Sequence, residues 1–213
     1  MNNRHKTQKR TACAVLFFFF SIFVQAQSFL AEGDLLFCFS PEGNNITAVT
    51  EGYRGRPVDH VAIVHWQGDS VYALEAIHSG VGLTPIDSFL ARRDSLVLVA
   101  QLRDTTGVAA SVQRALAFVG RPYDFLFMPD DSAMYCSELV QKSYRTADGR
   151  LVFDPIPMSF HDATGRVTPE WKAYYARRGM EVPEGWPGSN PGDLSRSSKV
   201  CVLGLYRDLC KRR

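Results

Sequence analysis

Val58-Asp59-His60-Val61-Ala62-Ile63-Val64-His65-Trp66, the tetrapeptide Gln67-Gly68-Asp69-Ser70, and then Val71-Tyr72-Ala73-Leu74-Glu75-Ala76-Ile77 form the stretch that decides the fold. Two β-branched, apolar runs flank a short polar segment containing glycine, which predicts an antiparallel hairpin. If the turn sets Trp66 opposite Val71, then Ala62 faces Glu75 and His60 faces Ile77. His60 and Glu75 then stand on one face as diagonal neighbours, roughly 7–8 Å apart between backbones and closer at the side chains. A slip of one residue would separate them, so the pairing depends on register. His65 is five residues from His60 and falls on the other face, which also argues against a zinc site built from both histidines.

Around this hairpin the chain reads as α+β with an antiparallel sheet. Residues 33–39 and 96–102 are apolar strands, and residues 199–206 a final one. Val108, Val112, Ala115, Leu116 and Val119 recur at helical spacing until Gly120 and Pro122 stop the run. Residues 45–53 read as a short helix or irregular segment, and residues 121–134 as a loop. Helices are expected at 136–145 and 169–178, the second within a tail rich in proline and glycine.

Residues 1–26 differ in kind. Arg4, Lys6, Lys9 and Arg10 precede an apolar run that includes Phe17 to Phe20, followed by Val24-Gln25-Ala26. Basic, apolar, then small is the order of a secretory signal peptide, and the apolar run is shorter than the ~20 residues that span a bilayer. The expectation is a signal peptide at 1–26, one domain at 27–213, an exported (periplasmic or extracellular) protein, and no stable membrane span. The chain has 24 basic and 22 acidic residues; without the four basic residues of the leader, 20 stand against 22. A near-neutral domain gives no reason to expect a nucleic-acid partner. No close Cys/His zinc spacing is present, so neither metal nor cofactor is expected. Cys201 and Cys210 could pair, and the sequence leaves this open.

Met134-Tyr135-Cys136-Ser137-Glu138-Leu139-Val140 places Cys136 where a loop enters a helix. The unsatisfied N–H groups of a helix start favour an anion, and the thiolate is the reactive form of cysteine. A cysteine there is also an ordinary small packing residue. His60 as base and Glu75 as orienting carboxylate make the reactive reading concrete. Glu138, two positions on, suits helix capping better than orienting a histidine.

Five blocks occur in order: Gly33-Asp34-Leu35-Leu36-Phe37; Asp59-His60-Val61-Ala62-Ile63; Leu74-Glu75-Ala76 with Gly80-Val81; Gly120-Arg121-Pro122-Tyr123-Asp124; and Tyr135-Cys136-Ser137-Glu138-Leu139-Val140. Together they resemble the YiiX/YaeF-like family, the circularly permuted branch of the NlpC-type papain-like cysteine peptidases. The histidine preceding the cysteine fits the permutation. The resemblance covers residues 33–145, with Pro191-Gly192-Asp193-Leu194 as a late element. It implies a permuted papain-like fold, a small barrel-like sheet packed on helices, and a nucleophile at a helix N-terminus. It implies Cys136 as nucleophile, His60 as base then acid, and Glu75 as third member. Tyr123 and Tyr135 are candidates for substrate or oxyanion contacts. The substrate would be a peptide or acyl amide, with peptidoglycan fragments accessible after export. The alternatives are a lipid-directed acyltransferase or N-acyl amidase, and a non-catalytic envelope binding module.

Overall fold

The computed structural model describes residues 29–93 and 96–211; the expected signal peptide lies outside the described residues. Eight strands and six helices alternate in it: β1 (Leu35–Phe39), β2 (Val58–Gln67), β3 (Ser70–Ile77), β4 (Gly80–Pro85), α1 (Ile86–Ala91), β5 (Val97–Leu102), α2 (Val108–Leu116) and α3 (Cys136–Ser143). The tail adds β6 (Ile156–Pro157), α4 (Pro169–Ala176), β7 (Pro187–Gly188), α5 (Pro191–Arg196), β8 (Val200–Leu205) and α6 (Tyr206–Lys211). Among the described residues no helix is long and apolar enough to cross a membrane.

One antiparallel sheet runs β4-β3-β2-β1-β5-β8, with β4 and β8 at its ends. The hairpin has the expected register, with Trp66 opposite Val71 and Ile63 opposite Leu74. Alternation sends Leu35, Phe37, Val61, Ile63, Leu74 and Ala76 to one face, where Leu139 and Val140 of α3 cover them. Leu36, Ala62, Val64, Ala73 and Val99 go to the other, against Phe89 of α1 and Tyr206 of α6. The sheet is therefore buried on both sides, which explains why its strands read as nearly continuous apolar runs. Cys201 and Cys210 are thiols, and Cys210 hydrogen-bonds Tyr206.

A third cluster, formed by Phe160, Trp171 and Tyr175 with Ile46, Val49, Phe127 and Met158 around it, joins residues 45–50 to the tail. Residues 45–49 take the irregular alternative, as turns, and a 3-10 turn follows at Tyr53–Gly55: the Thr50 hydroxyl donates to the Ile46 carbonyl at 2.8 Å, and the Asn44 side chain takes the Ile46 N–H. Such side-chain bonds offer the backbone an alternative to helix.

The unassigned stretch after Ile77 becomes β4 and α1. Gly82 faces Glu75 across the ladder, and two glycines interrupt the alternation that would have betrayed the strand. Gly80 has φ +103°, and a Cβ there would lie 2.5 Å from the Arg121 carbonyl oxygen. That close approach lets Val81 exchange hydrogen bonds with the 120–121 backbone, pinning the loop that carries Tyr123. Gly80→Ala is expected to cost about 1–3 kcal/mol of stability from the backbone conformation alone. Urea unfolding measures it, and a loss under about 0.5 kcal/mol would contradict this reading.

Candidate active site

His60 lies near the start of β2, one residue after a bulge. Cys38 pairs with His60 but Phe39 pairs with Val58, leaving Asp59 as the extra residue. By alternation His60 shares the face of Ala62 and Val64, and its ring lies 6.4 Å from that of Phe89. Cys136 belongs to the opposite layer, with Leu139 and Val140. The two side chains nevertheless come together on one groove, because they meet at the end of the sheet, where a bulge bends the strand and re-aims its side chains.

Glu75 of β3 completes the contact. Its Oε2 is 2.7 Å from His60 Nε2, which leaves Nδ1 as the ring nitrogen toward Cys136. The other oxygen, Oε1, accepts from the Thr84 hydroxyl at 2.7 Å and from the Arg92 guanidinium. Cys136, His60 and Glu75 are all buried, with 4 %, 6 % and 1 % of their surface exposed.

Burial favours the neutral form of both titrating partners, and both resist it. For His60 it works to lower the pKa, but the negative charge on the Cys136 sulfur and the hydrogen bond to Glu75 raise it to about 9. For Glu75 it works to raise the pKa, yet His60, Thr84 and Arg92 hold the carboxyl at about 2. The Glu75 contribution to stability is therefore present above about 4.5 and lost as pH falls through about 2. The His60 contribution is complete below about 6.5 and lost as pH rises through about 9. Between those limits the site holds a charged imidazolium against an ionised carboxylate.

Cys136 is the first residue of α3, after Tyr135 in extended conformation, so its backbone N–H points out of the helix end. The preceding loop is closed at its base: Met134 N–H donates to the Pro122 carbonyl at 2.9 Å and Asp124 N–H to the Met134 carbonyl at 3.1 Å. The Asp124 carboxylate takes the N–H groups of Leu126 and Met128, so this residue shapes the loop. Tyr123 is thereby held beside Cys136. Burial and the negative charge of Cys136 push its hydroxyl well above the usual tyrosine range, leaving it an O–H donor.

Tyr123 and Cys136 stand on the divide between two depressions. On one side is a narrow apolar pocket lined by Ile46, Phe127, Tyr135, Met158, Phe160 and Trp171. On the other is a wider polar groove of ≈ 340 Å³ lined by Asp59, His60, His78, Arg92 and Arg93. The Tyr135 hydroxyl accepts the Ser189 N–H at 3.0 Å, and both residues line the apolar pocket. Glu138 is buried with its pKa pushed up to about 7 by desolvation, against the pull of Lys142, its ion-pair partner at 2.8 Å. His65 pairs with Glu32 and His161 with Glu184, and neither histidine lines the two depressions that meet at Cys136.

An ordered Cys–His–Glu contact with the histidine earlier in the chain than the cysteine is a papain-like arrangement in permuted order. The description "permuted papain-like amidase enzyme, YaeF/YiiX, C92 family" matches residues 29–160, well over half of the chain. The chain belongs to this family. It is 32% identical over 98 residues to the uncharacterized protein YiiX of Escherichia coli K12, a stretch covering 44% of this chain and 48% of that one. The alignment thus spans about half the length of that relative. The fold is similar to the crystal structure of a protein titled metalloprotein YiiX from Escherichia coli O157:H7. That match has a TM-score of 0.68 and 22% identity over 82% of this chain and 96% of that one. Among the described residues here, no group of three or more His, Cys, Asp or Glu side chains is arranged to hold a metal ion.

Sequence reasoning missed Thr84 and Arg92, because the elements that carry them were not assigned. A polar residue at Thr84 and an arginine just past α1 have no local signature of their own. Only the fold brings them to Glu75. Replacing Glu75 with Gln removes the anion opposite His60, so the His60 titration followed by NMR is expected to fall from about 9 by at least about one unit. An unchanged midpoint would contradict the coupling.

Proposed function

We propose that this protein is an exported thiol amidase in which Cys136 is the nucleophile, His60 the acid–base group and Glu75 the residue that orients it. The observation that carries the reading is one imidazole set between a helix-start cysteine and a buried carboxylate to which it is bonded. The Cys136 thiolate attacks the substrate carbonyl, forming a C–S bond and a tetrahedral oxyanion. The Cys136 N–H and the Tyr123 hydroxyl are the donors positioned for that oxyanion. As the C–N bond breaks, protonated His60 gives its proton to the departing amine. Neutral His60 then takes a proton from water, the hydroxide attacks the thioester, and the carboxylic acid product leaves the thiolate behind.

The leader-like residues 1–26 support export, which makes envelope amides such as peptidoglycan fragments the accessible substrates. A second reading has its own support: the apolar pocket suits an aliphatic acyl group better than a peptide, pointing to N-acyl amides. Incubation with peptidoglycan fragments and with N-acyl amino acids of graded chain length separates the two. Cys136→Ala is expected to lose at least about 10³-fold of turnover on whichever is cleaved; equal turnover by both proteins would end the hydrolase reading. Under the acyl reading KM falls about fourfold per added methylene until the pocket fills, from about 0.8 kcal/mol per buried CH₂. A flat chain-length series would return the substrate to the peptide class. A binding module of the same fold would turn over none of them, with a Cys136 thiol indifferent to iodoacetamide at neutral pH.

A further inference from the structure

Glu75 can hold a protonated His60 only while it is itself ionised, and it sits where a carboxylate is expensive. Buried to 1 % exposure, it has three partners drawn from three elements: His60 from β2, Thr84 from β4 and Arg92 from just past α1. Of these, only Arg92 is charged at every pH of interest. The charge count of the cluster makes the same point. In the reactive form that the proposed mechanism uses, a thiolate, an imidazolium and a carboxylate, all on buried side chains, together carry one net negative charge. Adding the guanidinium brings the cluster to zero, and a buried cluster is far less costly when its charges cancel.

We propose that Arg92 is a positioning residue of the active site: from the far oxygen of Glu75 it keeps that carboxylate ionised and fixed in orientation, so that the near oxygen holds the His60 ring toward Cys136. This rests on the hydrolase reading for its purpose but not for its geometry. Arg92 itself is steadied by the Phe89 ring, 5.8 Å from its guanidinium carbon. Phe89 in turn is fully buried beneath the sheet near His60. Helix α1 therefore serves the site twice, with an aromatic ring near the imidazole and a guanidinium on the carboxylate. The other titratable or charged groups around this cluster are Cys38 on β1, Asp59 on β2, His78 just past β3, Arg93 beside Arg92, Tyr123 in the loop before α3, and Cys136 on α3. Arg93 is turned to Asp59 at 3.6 Å rather than to Glu75, so it does not duplicate Arg92.

The test compares wild type, Arg92→Ala and Arg92→Lys by NMR titration of the His60 ring and by the pH profile of Cys136 alkylation with iodoacetamide, the modified peptide identified by mass spectrometry. In wild type both readouts are expected to be free of any inflection from Glu75 between about pH 4 and 7, where the carboxylate stays ionised. Arg92→Ala introduces an inflection in that window as Glu75 protonates and releases the imidazole. The alkylation rate at pH 5 relative to pH 8 drops about tenfold, the effect of one pKa unit. Arg92→Lys, which keeps the charge, restores most of the wild-type profile. Titrations of Arg92→Ala that superpose on wild type, or a lysine variant as altered as the alanine one, would overturn the proposal. If Arg92→Ala does not fold, Arg92→Gln, which keeps a donor and drops the charge, gives the same discrimination. The His60 titration reports on Arg92 even if no substrate is ever turned over, so failure of the amidase reading is separately visible.

Discussion

A carboxylate buried on the inner part of a sheet needs its charge answered, and much of this molecule is arranged to answer that of Glu75. Left to desolvation alone, the side chain would take up a proton and become a weak, neutral acceptor. His60, Thr84 and Arg92 prevent it, each arriving from a different segment. The β2–β3 register brings His60, the β3–β4 register brings Thr84, and the turn out of α1 brings Arg92. Local unfolding of the β4–α1 edge would therefore reach the imidazole before it reached the core.

The proposed nucleophile comes from elsewhere. Helix α3 lies on the opposite layer, its Leu139 and Val140 packed against Val61, Ile63 and Leu74. Its first residue reaches His60 because β2 begins there with a bulge. The loop pinned by Gly80 and the tail tied by Tyr135 to Ser189 then build the two sides of the cleft. Cys136 and His60 thus meet at the end of the sheet, with the apolar pocket on the side of the tail and the polar groove on the side of β2 and α1.

Much of this was readable in the chain. Two β-branched runs around Gly68-Asp69 set the hairpin register, and that register alone places Glu75 diagonally to His60. The start of a helix at Cys136 followed from the loop residues before it and the apolar spacing of Leu139 and Val140. What could not be read was set by distance in sequence. Gly80 and Gly82 hide the alternation of β4, so Thr84 and Arg92 had no element to belong to. The pocket wall joins Ile46 to Trp171, two residues with no mutual signal in a single sequence. Strand parity by itself would have kept His60 and Cys136 in different layers; the bulge that resolves this has no turn residue to announce it.

The central claim is that the Cys136 sulfur, served by His60, forms a covalent bond to an acyl group. Acid-quenched mass spectrometry after mixing with an activated N-acyl or ester substrate reads that bond directly. A single acyl adduct is expected on the peptide containing Cys136, accumulating within the first turnovers. It should be absent from Cys136→Ala and slowed by orders of magnitude in His60→Ala. Turnover of the same substrate with no adduct at Cys136, or adduct formation undiminished without His60, would contradict the account.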